Sequence, residues 1–254
     1  MKQKPLITLA VPSYNQGSYL EQTLRSIFSQ SLPIEVFILD GGSQDQSISI
    51  IKKWESYLAG WRSYPDQGQT AAINEGIVQG TAPFVGWLNS DDWLLPKGLS
   101  TLLRALQSSQ FKNAPFAYGR SWNFYEKNHT FRSVWVEPFH ENRLALRCII
   151  SQPATLIRRS AWEEVRGVSN QFQLAMDYDL WWRLFRKFGT PYFIDQFIAV
   201  NRVHTETKTN TQPRLHYQEA IKIVHQHYGA IPLKWRLFWP YRVWLKSIMN
   251  RFSV

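Results

Sequence analysis

Two adjacent carboxylates, Asp91 and Asp92, close the polar run Asn89-Ser90-Asp91-Asp92 that follows an apolar segment. Anions this close repel, and keeping both ionised is costly unless a cation or water relieves them. Oxygen donors suit a hard divalent ion, Mg2+ or Mn2+, and an ion with so few protein ligands completes its shell with water and substrate phosphates. A nucleotide diphosphate is the natural source of those phosphates. Three more polar clusters have similar character: Ser13-Tyr14-Asn15, Asp40-Gly41-Gly42-Ser43 with Asp45, and Asp66-Gln67-Gly68. Taken singly each has a plain reading, because Asn15 with Gly17 and Asp40 with Gly41 are common turn pairs and Asp91 suits the cap of a helix near Leu95.

The elements around these clusters give them a common address. Residues 6 to 11, 34 to 39 and 83 to 88 are short apolar runs bounded by turn residues and predict buried strands. Between them, Leu20, Leu24, Ile27 and Phe28, then Ile48, Ile51 and residues 54 to 58, then residues 70 to 78, repeat at helical spacing. Ser18 with Glu21 predicts a capping box at the first of these helices. Strand alternating with helix predicts a mostly parallel sheet covered by helices, and such sheets bind ligands beyond the carboxyl ends of their strands. All four polar clusters therefore fall on one edge.

The second half is less regular. Residues 116 to 118 and 131 to 136 predict strands around a turn at 126 to 129, and residues 193 to 203 predict one or two more. Ser160 with Glu163 is a second capping-box signature. Leu180, Trp181, Leu184, Phe185 and Phe188 form a helical stripe that stops at Gly189, and residues 212 to 228 predict a helix ended by Gly229. Cys148 lies in an apolar run and reads as core.

With 254 residues, 44% hydrophobic and 19% charged, the chain is of globular composition and large enough for a substantial core. A single cysteine excludes an intrachain disulfide and suggests a reducing compartment, so a cytoplasmic location is expected. The six or so apolar residues before Pro12 are too short for a secretory signal, and no run approaches a membrane span. The net charge of +10 is unevenly placed: residues 1 to 110 hold 8 Lys/Arg against 9 Asp/Glu, so the excess lies in the second half. That asymmetry suggests an anionic partner there, a membrane surface or a phosphate-rich substrate, with nucleic acid as a further option. Residues 231 to 254 carry five Lys/Arg, no acidic residue and Trp235, Phe238, Trp239, Tyr241, Trp244 and Phe252. Aromatic anchors beside cations suit the surface of an anionic bilayer, and Pro240 argues against one straight helix. The other reading of this segment is a basic helix packing its tryptophans on the domain.

Read in order, Pro12-Ser13-Tyr14-Asn15, Leu39-Asp40-Gly41-Gly42-Ser43-Gln44-Asp45, Asp66-Gln67-Gly68-Gln69 through Ala72, Asn74 and Gly76, and Gly86-Trp87-Leu88-Asn89-Ser90-Asp91-Asp92 resemble glycosyltransferase family 2. The resemblance implies an α/β GT-A fold, a nucleotide-sugar donor, a divalent metal, and inversion at the anomeric carbon of a transferred hexosyl group. It assigns Pro12, Tyr14 and Asn15 to the nucleotide loop, Asp40 to a hydrogen bond with the base, Asp66 to a place beside it, and Asp91 to the metal. The chain departs from the commonest pattern at Gly41 and Asn89, where acidic residues are frequent. Asn89 is a poorer ligand, so Asp91 carries more weight, assisted by Asp92. Ala175-Met176-Asp177-Tyr178-Asp179 resembles the family's acidic segment and makes Asp177 the base that deprotonates the acceptor hydroxyl, with Asp179 suited to a helix cap. Asn201-Arg202-Val203-His204 resembles an Arg-x-His element near the donor diphosphate, with His204 meeting phosphate or metal, and Gln152-Pro153-Ala154 resembles an acceptor-side segment.

The division this implies is a catalytic domain over residues 1–230, with a nucleotide-sugar half (1–110) and an acceptor half (111–230), followed by a basic aromatic helical appendage (231–254). The expected activity is metal-dependent inverting transfer from a UDP-sugar to a glycan or lipid-linked acceptor in cell-surface polysaccharide or glycolipid synthesis, with peripheral attachment to the cytoplasmic membrane face. The alternatives are a nucleic-acid-binding protein using the basic second half, which the net negative first half disfavours, and a sugar-nucleotide-binding domain without activity.

Overall fold

The computed structural model describes residues 3–240. In chain order the strands are β1 (Ile7–Ser13), β2 (Ile34–Asp40), β3 (Gly60–Ser63), β4 (Phe84–Trp87), β5 (Trp93–Leu94), β6 (Phe116–Tyr125), β7 (Thr130–Ser133), β8 (Thr155–Arg158) and β9 (Tyr192–Val203). The helices are α1 (Gly17–Phe28), α2 (Ser47–Trp54), α3 (Gln69–Gln79), α4 (Gly98–Gln107), α5 (Glu141–Leu146), α6 (Arg159–Glu164), α7 (Met176–Phe188), α8 (Lys208–Thr211), α9 (Pro213–Tyr228) and α10 (Leu233–Pro240). One sheet runs β3-β2-β1-β4-β8-β6-β9-β5, with β7 paired to β6. Its first four strands are parallel, β8 is antiparallel to both neighbours, and β6 and β9 are parallel again.

Strand alternation divides the apolar residues between two cores. Ile7, Leu9 and Val11 face α1 and α4, whereas Ala10, with Phe37 and Leu39, faces the core that α3, α7 and α9 cover. Helix α3 lies so close to the sheet that a Cβ at Gly76 would stand 2.5 Å from Leu39 and 2.8 Å from Ala10. Glycine is required there by contact rather than by backbone conformation.

The expected strands and helices appear, with additions. Strands β3, β5 and β8 and helices α4, α5 and α8 are the additions, and the strands have only two to four residues, too few to establish a period. Neither capping box forms. Helix α1 begins at Gly17, whose N–H donates to Asp45 Oδ2 (2.8 Å) from the next loop, and Glu21 instead accepts from Arg25, Lys53 and Trp54. Helix α6 begins at Arg159 without a side-chain cap, and Glu163 pairs with Arg159 at 3.6 Å.

Trp235, grouped in the sequence with membrane-facing aromatics, is instead a peg of α10. It is buried, its Nε1 donates to the Ala145 carbonyl (2.7 Å), and its own carbonyl accepts from the Tyr217 hydroxyl (2.6 Å). Leu233, Leu237 and Phe238 are exposed. The remaining expectations for the appendage, on Tyr241, Arg242, Trp244, Lys246, Arg251 and Phe252, lie outside the described residues.

Candidate active site

The carboxyl ends of β1, β2 and β4, the end of β9 and the start of α7 surround a cleft of about 1820 Å³. That is more room than one small metabolite needs and suits a donor and an acceptor together. Pro12, Tyr14, Asp66, Asn89, Asp91, Asp92, Asp177, Arg202 and His204 all line it; Asn15 and Asp40 do not.

The first two loops are zipped together beneath the cleft. Asn15 takes the left-handed conformation (φ 52°) that asparagine tolerates, its Oδ1 accepts the Gln44 N–H (2.9 Å), and its own N–H donates to Ser43 Oγ (2.7 Å). Asp40, expected to meet a nucleobase, is fully buried. Its carboxylate accepts from the Gly42 and Ser43 N–H groups (3.0 and 2.8 Å) and the Ser43 and Ser63 hydroxyls (2.6 and 2.7 Å), so it shapes the loop rather than facing the cleft. Tyr14 is 60% exposed above this floor. Asp66 is held by the Gly68 N–H (2.8 Å) and by Arg62 (2.8 Å), which also binds Glu75 and the Asp40 carbonyl.

The Asp91-Asp92 pair separates by orientation. Asp91 Oδ2 lies 3.1 Å from His204 Nε2. Asp92 turns away, accepting the Arg202 N–H (2.9 Å) and the Asn89 side-chain amide (3.2 Å), and burial followed by the charge of Asp91 pushes its carboxyl well above the usual range. Asp92 lines the cleft as well, but its carboxylate is engaged by the Arg202 backbone and by Asn89. Asn89 is likewise engaged, accepting from Gln69 Nε2 at 2.8 Å. Arg202 also departs from expectation: its guanidinium lies against the Tyr19 and Trp93 rings (4.6 and 4.8 Å), donates to Gln22, and reaches the Asp91 carbonyl through Nε (3.0 Å). The expected alternation still brings both side chains to Asp91, Arg202 to its backbone and His204 to its carboxylate.

Among the described residues no group of three His, Cys, Asp or Glu side chains could hold a metal. Asp91 and His204 nevertheless fit two adjacent ligands of a six-coordinate ion, which stand about 3.0 Å apart at metal–ligand distances of about 2.1 Å. The His204 Nδ1 accepts the Glu206 N–H at 3.3 Å, which places the ring proton on Nε2 toward Asp91. Ligation through Nε2 requires that proton to leave and the Glu206 N–H to turn aside.

Asp177, the second residue of α7, also lines the cleft. Its Oδ1 accepts the Tyr178 N–H (2.8 Å). Burial pushes its carboxyl up to about 6, hydrogen bonds from the Tyr178 and Asp177 backbone oppose that, and the charge of Glu219 adds to it. Such a group is mostly ionised near neutral pH and still basic enough to accept a proton. Asp179 does not cap the helix: it pairs with Arg183 (2.7 Å) and His227 (2.9 Å) inside the protein. Cys148 packs on the core and also lines the cleft, where burial and then the charge of Asp177 raise its thiol, leaving it unreactive.

Gln152 and Ser13 belong to segments singled out in the sequence, whereas Gln16 and Lys208 gave no sequence signal. Gln152 donates through Nε2 to the Trp87 carbonyl (2.7 Å), which can only accept, so its unpartnered Oε1 is the free end. Ser13 Oγ and Gln16 Oε1, also in the cleft wall, are buried without partners. Unpaired buried acceptors are costly and suit the hydroxyl and N–H donors of a ligand. The segment around α8 also lines the cleft, with Lys208 Nζ reaching Gln69 Oε1 at 3.4 Å.

Residues 8–166 match the family model described as glycosyl transferase family 2. An uncharacterized glycosyltransferase of Rickettsia prowazekii is 23% identical over 222 residues, covering 83% of this chain and 69% of the relative. The chondroitin synthase of Escherichia coli is 22% identical over 92% of this chain, which spans only 34% of that enzyme. In fold, the chain is similar to S. aureus TarS 1-349, solved in complex with UDP-GlcNAc, with a TM-score of 0.70 and 16% identity over 98% of this chain and 73% of that one. It is also similar to the mannosyltransferase PcManGT of Pyrobaculum calidifontis, solved with GDP-Man and Mn2+, with a TM-score of 0.67 and 16% identity over 99% and 75% of the two chains. The fold is thus the GT-A fold of such enzymes. A match of this extent to the family model, on a chain whose strand-end motifs converge on one cleft, makes this protein a glycosyltransferase and a member of glycosyl transferase family 2.

Proposed function

We propose that the protein transfers a hexosyl group, with inversion, from a nucleotide diphosphate sugar to a hydroxyl of a glycan or lipid-linked acceptor, and that the donor is a UDP-sugar. The observation that carries this reading is the placement of Asp91, beside His204, and of Asp177, with its raised carboxyl, in one cleft, a ligand for the diphosphate's cation and a poised base. Pro12 and Tyr14 flank the nucleotide, over a loop shaped by Asp40 and Asn15. Asp91 and His204 hold a divalent metal, for which Mn2+ in the similar mannosyltransferase is the precedent and Mg2+ the alternative. When bound, such an ion stabilises the charge of a departing diphosphate. Asp177 takes the proton of the acceptor hydroxyl as that oxygen attacks from the face opposite the nucleotide. The surrounding protein limits water at its carboxyl, and residues of α8 line the same cleft.

The same reading divides the chain into a donor half (1–110), an acceptor half (111–230) and an appendage (231–254). The metal pair joins Asp91 of the first half to His204 of the second, so the donor side is not self-contained. No helix among the described residues is long and apolar enough to cross a membrane. Attachment of the basic appendage to the cytoplasmic face of an anionic bilayer fits a lipid-linked acceptor, and a chain ending at Ala230 should then lose co-sedimentation with anionic vesicles. The central experiment is a thermal-shift series of UDP, UDP-GlcNAc and GDP-mannose with and without Mn2+, followed by turnover of whichever donor binds. A ligand that binds only the folded state raises the melting temperature. Binding without turnover by any acceptor or water would return the protein to the inactive-domain reading, and no binding of any of the three would reject the donor class.

A further inference from the structure

Helix α7 is entered through a bent segment whose three successive backbone N–H groups converge on one side chain. Glu219, in the middle of α9, accepts the Gln173 N–H through Oε1 (2.8 Å) and the Leu174 and Ala175 N–H groups through Oε2 (2.8 and 2.9 Å). Its side chain is 8% exposed and does not line the cleft, yet Gln173, Leu174, Met176 and Asp177 all do. Concave runs of backbone N–H groups bind anions, and here a carboxylate of the chain itself occupies the run. Charge-assisted hydrogen bonds of this kind are about twice as strong as neutral ones. The side chain of Asp177, by contrast, is held by the adjacent Tyr178 N–H and its own backbone, neither from another element.

We propose that Glu219 is the positioning residue of the base: it fixes the backbone from Gln173 to Ala175 and thereby sets where the Asp177 carboxylate stands. This rests on the reading of Asp177 as base and adds how that base is held. Glu219 cannot touch substrate, so it acts through the backbone and through its field. Two consequences follow from one carboxylate. Asp177 is held in place, and its proton affinity is raised by the nearby negative charge, in addition to the larger effect of burial. The other titratable groups beside Asp177 are Cys148 and Tyr178, both neutral near pH 7 because burial raises each of them. Glu219 is thus the charged neighbour whose removal shifts the base.

The substitution Glu219→Gln keeps the shape but sets an amide N–H2 against backbone donors. Amide hydrogen exchange is expected to quicken at residues 173–175, with UDP and Mn2+ binding unchanged. Turnover of UDP-GlcNAc, measured as UDP release with water or glycan acceptors, should fall by roughly 10- to 100-fold, as for misplacement of a reacting group. The acidic limb of its pH profile should move to lower pH, a change a purely stabilising residue would not cause. In a cycle with Asp177→Asn, Glu219→Gln should cost nothing further. Unaltered exchange at 173–175, or an undiminished additional loss on top of Asp177→Asn, overturns the proposal. If the Gln variant does not fold, Glu219→Asp keeps the charge at shorter reach, and the amides of residues 173–175 must then exchange faster than in the parent while those of α9 do not. Failure of Asp177→Asn to slow turnover would instead reject Asp177 as base, a result the exchange data leave separate.

Discussion

Two pairs of acidic residues close in sequence border the cleft, and in each pair the second is held by partners inside the protein. Asp91 meets His204 whereas Asp92 turns to the Arg202 backbone and Asn89; Asp177 opens onto the cleft whereas Asp179 turns to Arg183 and His227. Asp92 and Asp179 are almost equally hidden, 4% and 3% exposed. Their carboxyls nevertheless move in opposite directions. Burial and the charge of Asp91 raise Asp92, while for Asp179 the effect of burial is outweighed by His227 and Arg183, which hold it below the usual range. Burial sets the cost of a charge, and the partners decide whether the charge persists.

The strongest test of this contrast removes the cleft-facing acid of the second pair. Asp177→Asn should reduce turnover by about 10²- to 10⁴-fold, the usual worth of a general base, with donor affinity retained by calorimetry. In the unsubstituted enzyme turnover should fall as pH drops through about 6, because a protonated Asp177 cannot accept a proton. A rate that stays flat well below that pH would mean that another group takes the proton.

Its buried neighbour should act on stability instead. Asp179→Ala leaves Arg183 and His227 without their anion and should cost about 3 to 5 kcal/mol in urea unfolding. The folded pKa of Asp179 is lowered, so its stabilisation is present above the usual carboxylate pKa of about 3.9 and is lost as pH falls below it. If the variant unfolds at the same urea concentration as the parent, the assignment of Asp179 as a support fails.

In the first pair, Asp91→Ala should abolish the Mn2+-dependent part of UDP binding, weakening affinity in Mn2+ by about tenfold or more, equivalent to at least about 1.4 kcal/mol. Persistence of the Mn2+ effect in a folded variant would place the metal elsewhere. Asp92→Asn should be the mildest, within about 1 kcal/mol, since it removes a buried charge while keeping the shape. The raised folded pKa of Asp92 means that the parent loses stability as pH rises from about 3.9 through that higher value, and the Asn variant should lack this decline. Equal pH slopes in parent and variant would show that Asp92 is ionised at no cost.

Much of the cleft was readable because the loops of the first half obey local rules. Apolar runs ending in Asn15, Asp40 and Asn89 had to be strands with polar ends, and a parallel sheet puts such ends on one edge. The roles of the individual residues were less readable. The sequence Asp91-Asp92 does not reveal which carboxylate turns inward, since the answer lies with Arg202 and His204, more than a hundred residues away. Ser18 with Glu21 matched a capping box, but Asp45 from another loop reached the helix terminus and Glu21 found Trp54 and two cations. Glu219 gave no signal at all, because a glutamate within a helical pattern looks like solvated surface until the segment 173–175 is folded against it.

Periodicity and turn chemistry act over a few residues, so the order of strands and helices and the edge on which the polar loops gather were already written in the chain. Orientation, burial and proton affinity depend on partners brought from distant positions. Those partners meet only when β9 is laid beside β6 and α9 against α7, and that packing brings His204 to Asp91, holds Asp92 and Asp179 with internal partners, and sets Glu219 under the segment that precedes Asp177.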